Sequence, residues 1–195
     1  VKEDTQVRYQ GGIKSEILTD VTKGTQLRMA DDLDDWKCVV TQDGYVGYIK
    51  SSKLAGEPQK QDFERQFQAP EYTSISREYP INLTWHQVTN PDANDTLDAL
   101  TADTSGINVI SPTWFSLISN QGEISSLASE EYVQNAHSKG MEVWGLVSNF
   151  EENVSTYEVL SHTTSRTKLI NLLVQAARQY GLDGINVDLE NLSED

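Results

Sequence analysis

Between Leu182 and Glu190 polar and aliphatic residues alternate: Asn186, Asp188 and Glu190 are interleaved with Ile185, Val187 and Leu189. A period of two puts the polar three on one face of a strand and the aliphatic three on the other. Three apolar runs precede this segment, at Ile81–Val88, Ile107–Pro112 and Met141–Val147, with stretches of helical spacing between them. Strand and helix in strict alternation predict a parallel sheet with right-handed crossovers. On a parallel central strand both faces are normally covered, so a row of carboxylates there calls for a reason beyond solvation.

The helical stretches carry their own boundaries. Asp95–Ala102 reads as a short helix with Leu97 and Leu100 on its apolar side. Ser129 is placed to cap the next one, with Glu130 and Glu131 in its first turn and Lys139-Gly140 at its close. In the third, Leu169, Leu172, Leu173, Ala176, Ala177 and Tyr180 recur at helical spacing until Gly181 stops them. Two architectures accommodate such units, an open doubly wound sheet and a (β/α)8 barrel. No glycine-rich phosphate loop follows any strand, which weighs against nucleotide binding. A barrel typically takes ~250 residues, so Ile81 to Asp195 suffices for the four βα units of its N-terminal half.

The first 56 residues follow a different rule, with short strands and tight turns. Glu16–Thr19, Gln26–Ala30, Trp36–Thr41 and Tyr45–Ile49 read as strands, and Asp31–Asp35 as a polar turn. Asp43-Gly44 is the strongest hairpin signal in the chain. A small all-β barrel or sandwich follows. Trp36, Tyr45 and Tyr48 serve either a ligand groove or the packing of a barrel too small to spare its aromatics. Residues 57–80, polar and marked by Pro58, Pro70 and Pro80, read as a linker and an irregular segment.

Composition removes several classes of function. With 30 acidic against 15 basic residues the net charge is −15, and no basic cluster is present to meet a phosphate backbone, so a nucleic-acid partner is not expected. Cys38 is alone, and His86, His137 and His162 are scattered, so neither a disulfide within the chain nor a zinc motif is expected. A calcium loop beginning at Asn186 would lack the glycine needed at its sixth position. Neither a metal nor an organic cofactor is expected. No apolar run approaches the ~20 residues of a membrane span. Val1-Lys2-Glu3-Asp4 does not open a signal peptide, and the start reads as the interior of a longer precursor.

In a barrel the polar face of the last strand points inward, with Glu190 nearest the C-terminal mouth, where barrel active sites lie. Asp188 is ~6.6 Å deeper, close enough for its charge to favour the protonated form of Glu190, which a general acid requires. Asn186, deeper still, is placed to bond Asp188 without burying another charge. Trp114 and Asn149 fall just after the second and third strands, where loops line a cleft. Trp114 there is either a sugar-stacking platform or a ring packed under a loop. His86 reads as a satisfied core or rim residue.

Asp183-Gly184-Ile185-Asn186-Val187-Asp188-Leu189-Glu190 resembles the Asp-Gly-x-Asp-x-Asp-x-Glu signature of glycoside hydrolase family 18. Asn108–Trp114, Val143–Phe150 and Tyr180-Gly181-Leu182 are similar to the same family, most of all to its branch in spore-forming Gram-positive bacteria, which includes spore cortex-fragment lytic enzymes. In the first 56 residues, Lys23-Gly24-Thr25, Asp35–Val39, Asp43–Ile49 and Leu54 resemble a bacterial SH3-like domain.

The two resemblances imply a multidomain chain: an SH3-like β-barrel at residues 1–56, then the N-terminal half of a family 18 barrel at 81–195. They imply hydrolysis of β-1,4 linkages next to N-acetylhexosamine in peptidoglycan or a chitin-like polymer. Glu190 would protonate the glycosidic oxygen, and Asp188 would orient the substrate's 2-acetamido group as it attacks the anomeric carbon, a known exception to the two-carboxylate scheme. Asn186, Trp114 and Asn149 would bind substrate, while Asp183 and Gly184 would be structural. Asn186 stands where the signature has an inward Asp. The SH3-like partner favours peptidoglycan, and with it an extracellular, cell-wall or spore location. A half barrel alone is expected to be an inactive fragment prone to self-association through its open edges. The alternative is a lectin-like or wall-binding protein that holds sugar without cutting it.

Overall fold

The computed structural model describes residues 1–56, 58–59, 71, 76–190 and 192, so most of the segment read as linker lies outside the described residues. The chain divides into two compact units, residues 1–74 and 75–195.

In the first unit β1 (Thr5–Arg8), β2 (Ile17–Val21), β3 (Arg28–Leu33), β4 (Trp36–Val40) and β5 (Val46–Lys50) form an antiparallel sheet in the order β2-β1-β5-β4-β3. Val7, Val21, Val39 and Ile49 make its core. Asp43-Gly44 turns the β4–β5 hairpin, with Gly44 at φ 95°. Gly47 is needed for close approach, since a Cβ there would lie 2.5 Å from the Arg8 carbonyl oxygen. The sequence reading missed β1, whose Thr5-Gln6-Val7-Arg8 has a single aliphatic residue. It also placed the acidic turn too early: Asp31 and Asp32 belong to β3, and the reversal is confined to Asp34, at φ 41°, and Asp35. Trp36 and Tyr48 pair with Lys50 and Cys38 on the face opposite Val39, half-buried and outside the aliphatic core.

The second unit contains β6 (Leu83–His86), β7 (Val109–Pro112), β8 (Phe115–Leu117), β9 (Ile124–Ser126), β10 (Glu142–Ser148) and β11 (Gly184–Asp188). Its helices are α1 (Leu97–Thr101), α2 (Glu130–Ser138), α3 (Thr156–Ser161) and α4 (Thr163–Tyr180). Parallel pairing runs β6–β7–β10–β11 in chain order. A doubly wound sheet would reverse its order at a switch point, and the described strands do not. β8 also pairs in parallel with β10 beyond Thr113-Trp114, and turns back antiparallel as β9.

Helix ends follow ordinary capping chemistry. The Ser129 hydroxyl accepts from the Tyr132 N–H at 3.2 Å, and α4 closes on Gly181 at φ 71°. Gly122, at φ 77°, is more demanding: a Cβ would stand 2.2 Å from the Ser165 carbonyl oxygen. The first helix departs from expectation. Pro91–Thr96 forms a 3-10 helix, and only Leu97–Thr101 is α-helical. Within α1 Leu97 is buried at 1% exposure, whereas Leu100 is outside at 42%.

Ile110, Val143 and Val147 face the helices with Tyr132, Val133, Ala136 and Ala176 in one core. Ile185 packs against it, but Val187 is 63% exposed. The aliphatic face of β11 is therefore only partly covered: among the described residues β11 pairs β10 alone, and nothing flanks its other side. No helix among the described residues is long and apolar enough to cross a membrane.

His86 sits within this core at 6% exposure, with Nδ1 2.9 Å from the Tyr132 hydroxyl and Nε2 3.0 Å from Thr96 Oγ1. Burial holds its imidazole below the usual value of 6.5. The unfolded chain then takes up a proton before the folded one, so acidification below 6.5 costs stability until the folded-state value is passed. Urea midpoints followed by circular dichroism from pH 8 to 5 are expected to fall more steeply for the native chain than for His86→Gln. Equal slopes would show that His86 does not titrate differently on folding.

Candidate active site

The C-terminal ends of the parallel strands converge on a cleft of about 480 Å³ lined by Gln87, Thr89, Thr113, Ser116, Leu146, Ser148, Phe150 and Asp188. The register decides who faces it. Leu146 lies beside Asn186 and Ser148 beside Asp188, so these four share a face, opposite the one that carries Val143, Val147 and Ile185. Asp188 is half-buried, whereas Glu190, two residues on, is exposed.

Asn186 does not bond Asp188 as expected. Its Nδ2 donates to Ser111 Oγ at 3.1 Å, and that hydroxyl donates to the Trp144 carbonyl at 2.8 Å. The interior face therefore holds a polar bridge from β11 to β7 over the strand between them.

Trp114 also borders this cleft, but its ring is buried. Its ring is 1% exposed, stands edge-on to Tyr132 at 5.0 Å, and donates from Nε1 to Asn94 Oδ1 at 2.8 Å. Of the two roles open in the sequence, the burial of the ring and the buried partner of its indole N–H are those of a packed side chain. Phe150, 54% exposed on the cleft lining, is the aromatic residue that solvent reaches.

Asn149 is likewise buried, at 2% exposure, and its amide is engaged with the protein. Oδ1 accepts from the Glu190 N–H at 3.0 Å, and Nδ2 donates to Thr156 Oγ1 at 2.7 Å. Asp183, at the opposite end of β11, accepts from the Val143 N–H and faces His137 Nε2, both at 2.8 Å from Oδ2. Gly184 makes room for Trp144, whose ring would lie 3.0 Å from a Cβ there.

Sequence reasoning overlooked Ser111 and Ser148, which are 0% and 8% exposed. A lone hydroxyl in an otherwise apolar parallel strand was the available signal, because such a group needs a partner inside the sheet. Thr156 left no such trace.

No family model matches the chain, and no curated protein is found similar to it. Solved structures are. The chain is similar to the C-terminal domain of a Desulfitobacterium hafniense DCB-2 protein named as a chitinase, at 21% identity over 57% of this chain and 34% of that one, with a TM-score of 0.50. It also matches the Bacillus cereus spore cortex-lytic enzyme SleL at 18% identity, over 57% and 28% of the two chains, with a TM-score of 0.49. For a chitinase from Chromobacterium violaceum ATCC 12472 the figures are 21%, 55%, 34% and 0.40. The chain spans about a third of the length of the solved proteins it matches. At this identity the first of these likenesses speaks for a shared mixed α/β fold.

Proposed function

We propose that this chain carries the acid-bearing wall of a glycoside hydrolase cleft, of the family 18 type, acting on β-1,4 linkages next to N-acetylhexosamine. The observation that carries this reading is the placement of two carboxylates at one end of a parallel sheet. Asp188 lines the cleft beside Ser148, and Glu190, two residues on, is exposed to solvent with its backbone N–H anchored.

In this mechanism Glu190 delivers a proton to the glycosidic oxygen as the bond to the leaving sugar breaks. The substrate's own acetamido oxygen closes on the anomeric carbon, and Asp188 orients that group and stabilises the positive charge that develops on its nitrogen. Water then opens the cyclic intermediate, returning its proton to Glu190. Both carboxylates come from the C-terminal end of one strand and the residues just past it, which suits this route better than one that flanks the bond with two separate carboxylates. Asn186, tied to Ser111, keeps the base of the strand in place.

The preferred polymer is peptidoglycan, on the reading that the five-stranded first unit is an SH3-like wall-binding module. A wall or spore location and pairing of two copies through the free strand edges belong to the same reading. The test is release of sugar from peptidoglycan and from chitin oligomers. It would be run on residues 1–195 and on the same chain joined to any coding sequence that follows. Residues 1–195 alone are expected to show little or no release, because the described strands build one wall of the cleft. Release by the joined form, lost on Glu190→Gln, is the expected outcome. Sugar binding without release in both forms would make the protein a lectin.

A further inference from the structure

We propose that Asn149 and Thr156 are a positioning pair that sets where Glu190 stands. The proposal rests on the reading of Glu190 as the acid. β11 ends at Asp188, so Glu190 lies beyond the described ladder, and its N–H is held by a side chain from the end of β10. A two-residue extension past a strand would swing freely without such a bond. Asn149 supplies it from a site that is 2% exposed, and Thr156, at the first turn of α3, is 3% exposed.

The Glu190 N–H, which can only donate, fixes which way the Asn149 amide faces, and Thr156 holds the amide's other side. An amide presents an acceptor on one side and donors on the other. With Nδ2 committed to the Thr156 hydroxyl at 2.7 Å, Oδ1 is the atom left toward Glu190 at 3.0 Å. If the hydroxyl is lost, the Asn149 side chain loses a buried tether to α3. α3 itself is fixed at that end: the Ser155 N–H donates to Asn120 Oδ1 at 2.7 Å, and the Ser155 hydroxyl caps the Glu158 N–H. The acid is thereby located against α3 and the β8–β9 connection through two side chains.

Hydrogen exchange at the Glu190 amide in the 195-residue chain tests this, read as a ratio to the amides of β10 so that a global loss of stability cancels. Asn149→Ala is expected to raise the ratio by about ten-fold, the worth of one hydrogen bond, and Thr156→Val by several-fold. Thr156→Ser, which restores the hydroxyl, is expected to return it to the native value. If Asn149→Ala does not fold, the Val and Ser pair decides. A Glu190 amide that moves only in step with β10, or a Ser variant that behaves like Val, overturns the proposal. In a form that hydrolyses, Thr156→Val should lower kcat and leave KM within about two-fold. A change in KM alone would make these residues substrate contacts and overturn it as well. Exchange needs no catalysis, so a chain that never hydrolyses sinks the enzyme reading and leaves the exchange result to judge the pair.

Discussion

Glu190→Gln is expected to slow sugar release roughly a hundred- to ten-thousand-fold, the usual contribution of a positioned general acid. Glutamine keeps the shape and can still donate a hydrogen bond, but it has no proton to surrender to a leaving oxygen. Glu190 is exposed and outside the core, so the variant should unfold at the same urea concentration as the native chain. That combination separates chemistry from folding. Full activity in Glu190→Gln would remove the acid role, and a shifted unfolding midpoint would leave the activity loss without a chemical interpretation. Asp188→Asn should also be slow. The defect there should persist for substrates whose leaving group needs no help from the acid, if Asp188 works on the acetamido group and not on the departing oxygen.

Trp114→Ala is expected to cost about 3–5 kcal/mol of the second unit's stability, the range for removing a large buried aromatic. The ring touches Tyr132 edge-on, and it is the donor that satisfies Asn94 Oδ1. Asn94 also donates from Nδ2 to the Leu127 carbonyl, so it cannot turn its amide over without breaking a second bond. Trp114→Phe keeps most of the ring contact and still strands that oxygen, and should cost about 1–3 kcal/mol. Urea unfolding followed by far-ultraviolet circular dichroism measures both. An Ala variant within about 0.5 kcal/mol of the native chain would mean that the ring is not packed as described.

The two variants mark how far the sequence could be read. Glu190 was visible because a strand has a period of two, and three polar residues in alternation are hard to miss. The strand–helix alternation was visible for the same kind of reason: Leu169 to Tyr180 repeats at helical spacing and Gly181 ends it. Trp114 could not be decided, because its partner Asn94 is twenty residues away and nothing local couples them. Asn149 was placed just past the third parallel strand, but its bonds to Thr156 and Glu190 could not be read, since they exist only once α3 and β11 have docked. β1 escaped notice because a strand with one buried residue, Val7, carries almost no pattern. Its identity as a strand comes from β2 and β5 on either side.

The β10–β11 pair is fastened at both ends by side chains, Asp183 to the Val143 amide at one and Asn149 to the Glu190 amide at the other. Sliding one strand past the other by a single residue would exchange its two faces, turning Val187 into the cleft and Asp188 toward the helices. Main-chain bonding alone discriminates poorly against that error, because a shifted parallel ladder still makes hydrogen bonds. Each side-chain clasp closes in one alignment only, so the misaligned pairing loses both at once. Removing the two clasps together should therefore damage the fidelity of assembly more than its strength, producing a chain that still forms sheet but offers the wrong residues to the cleft.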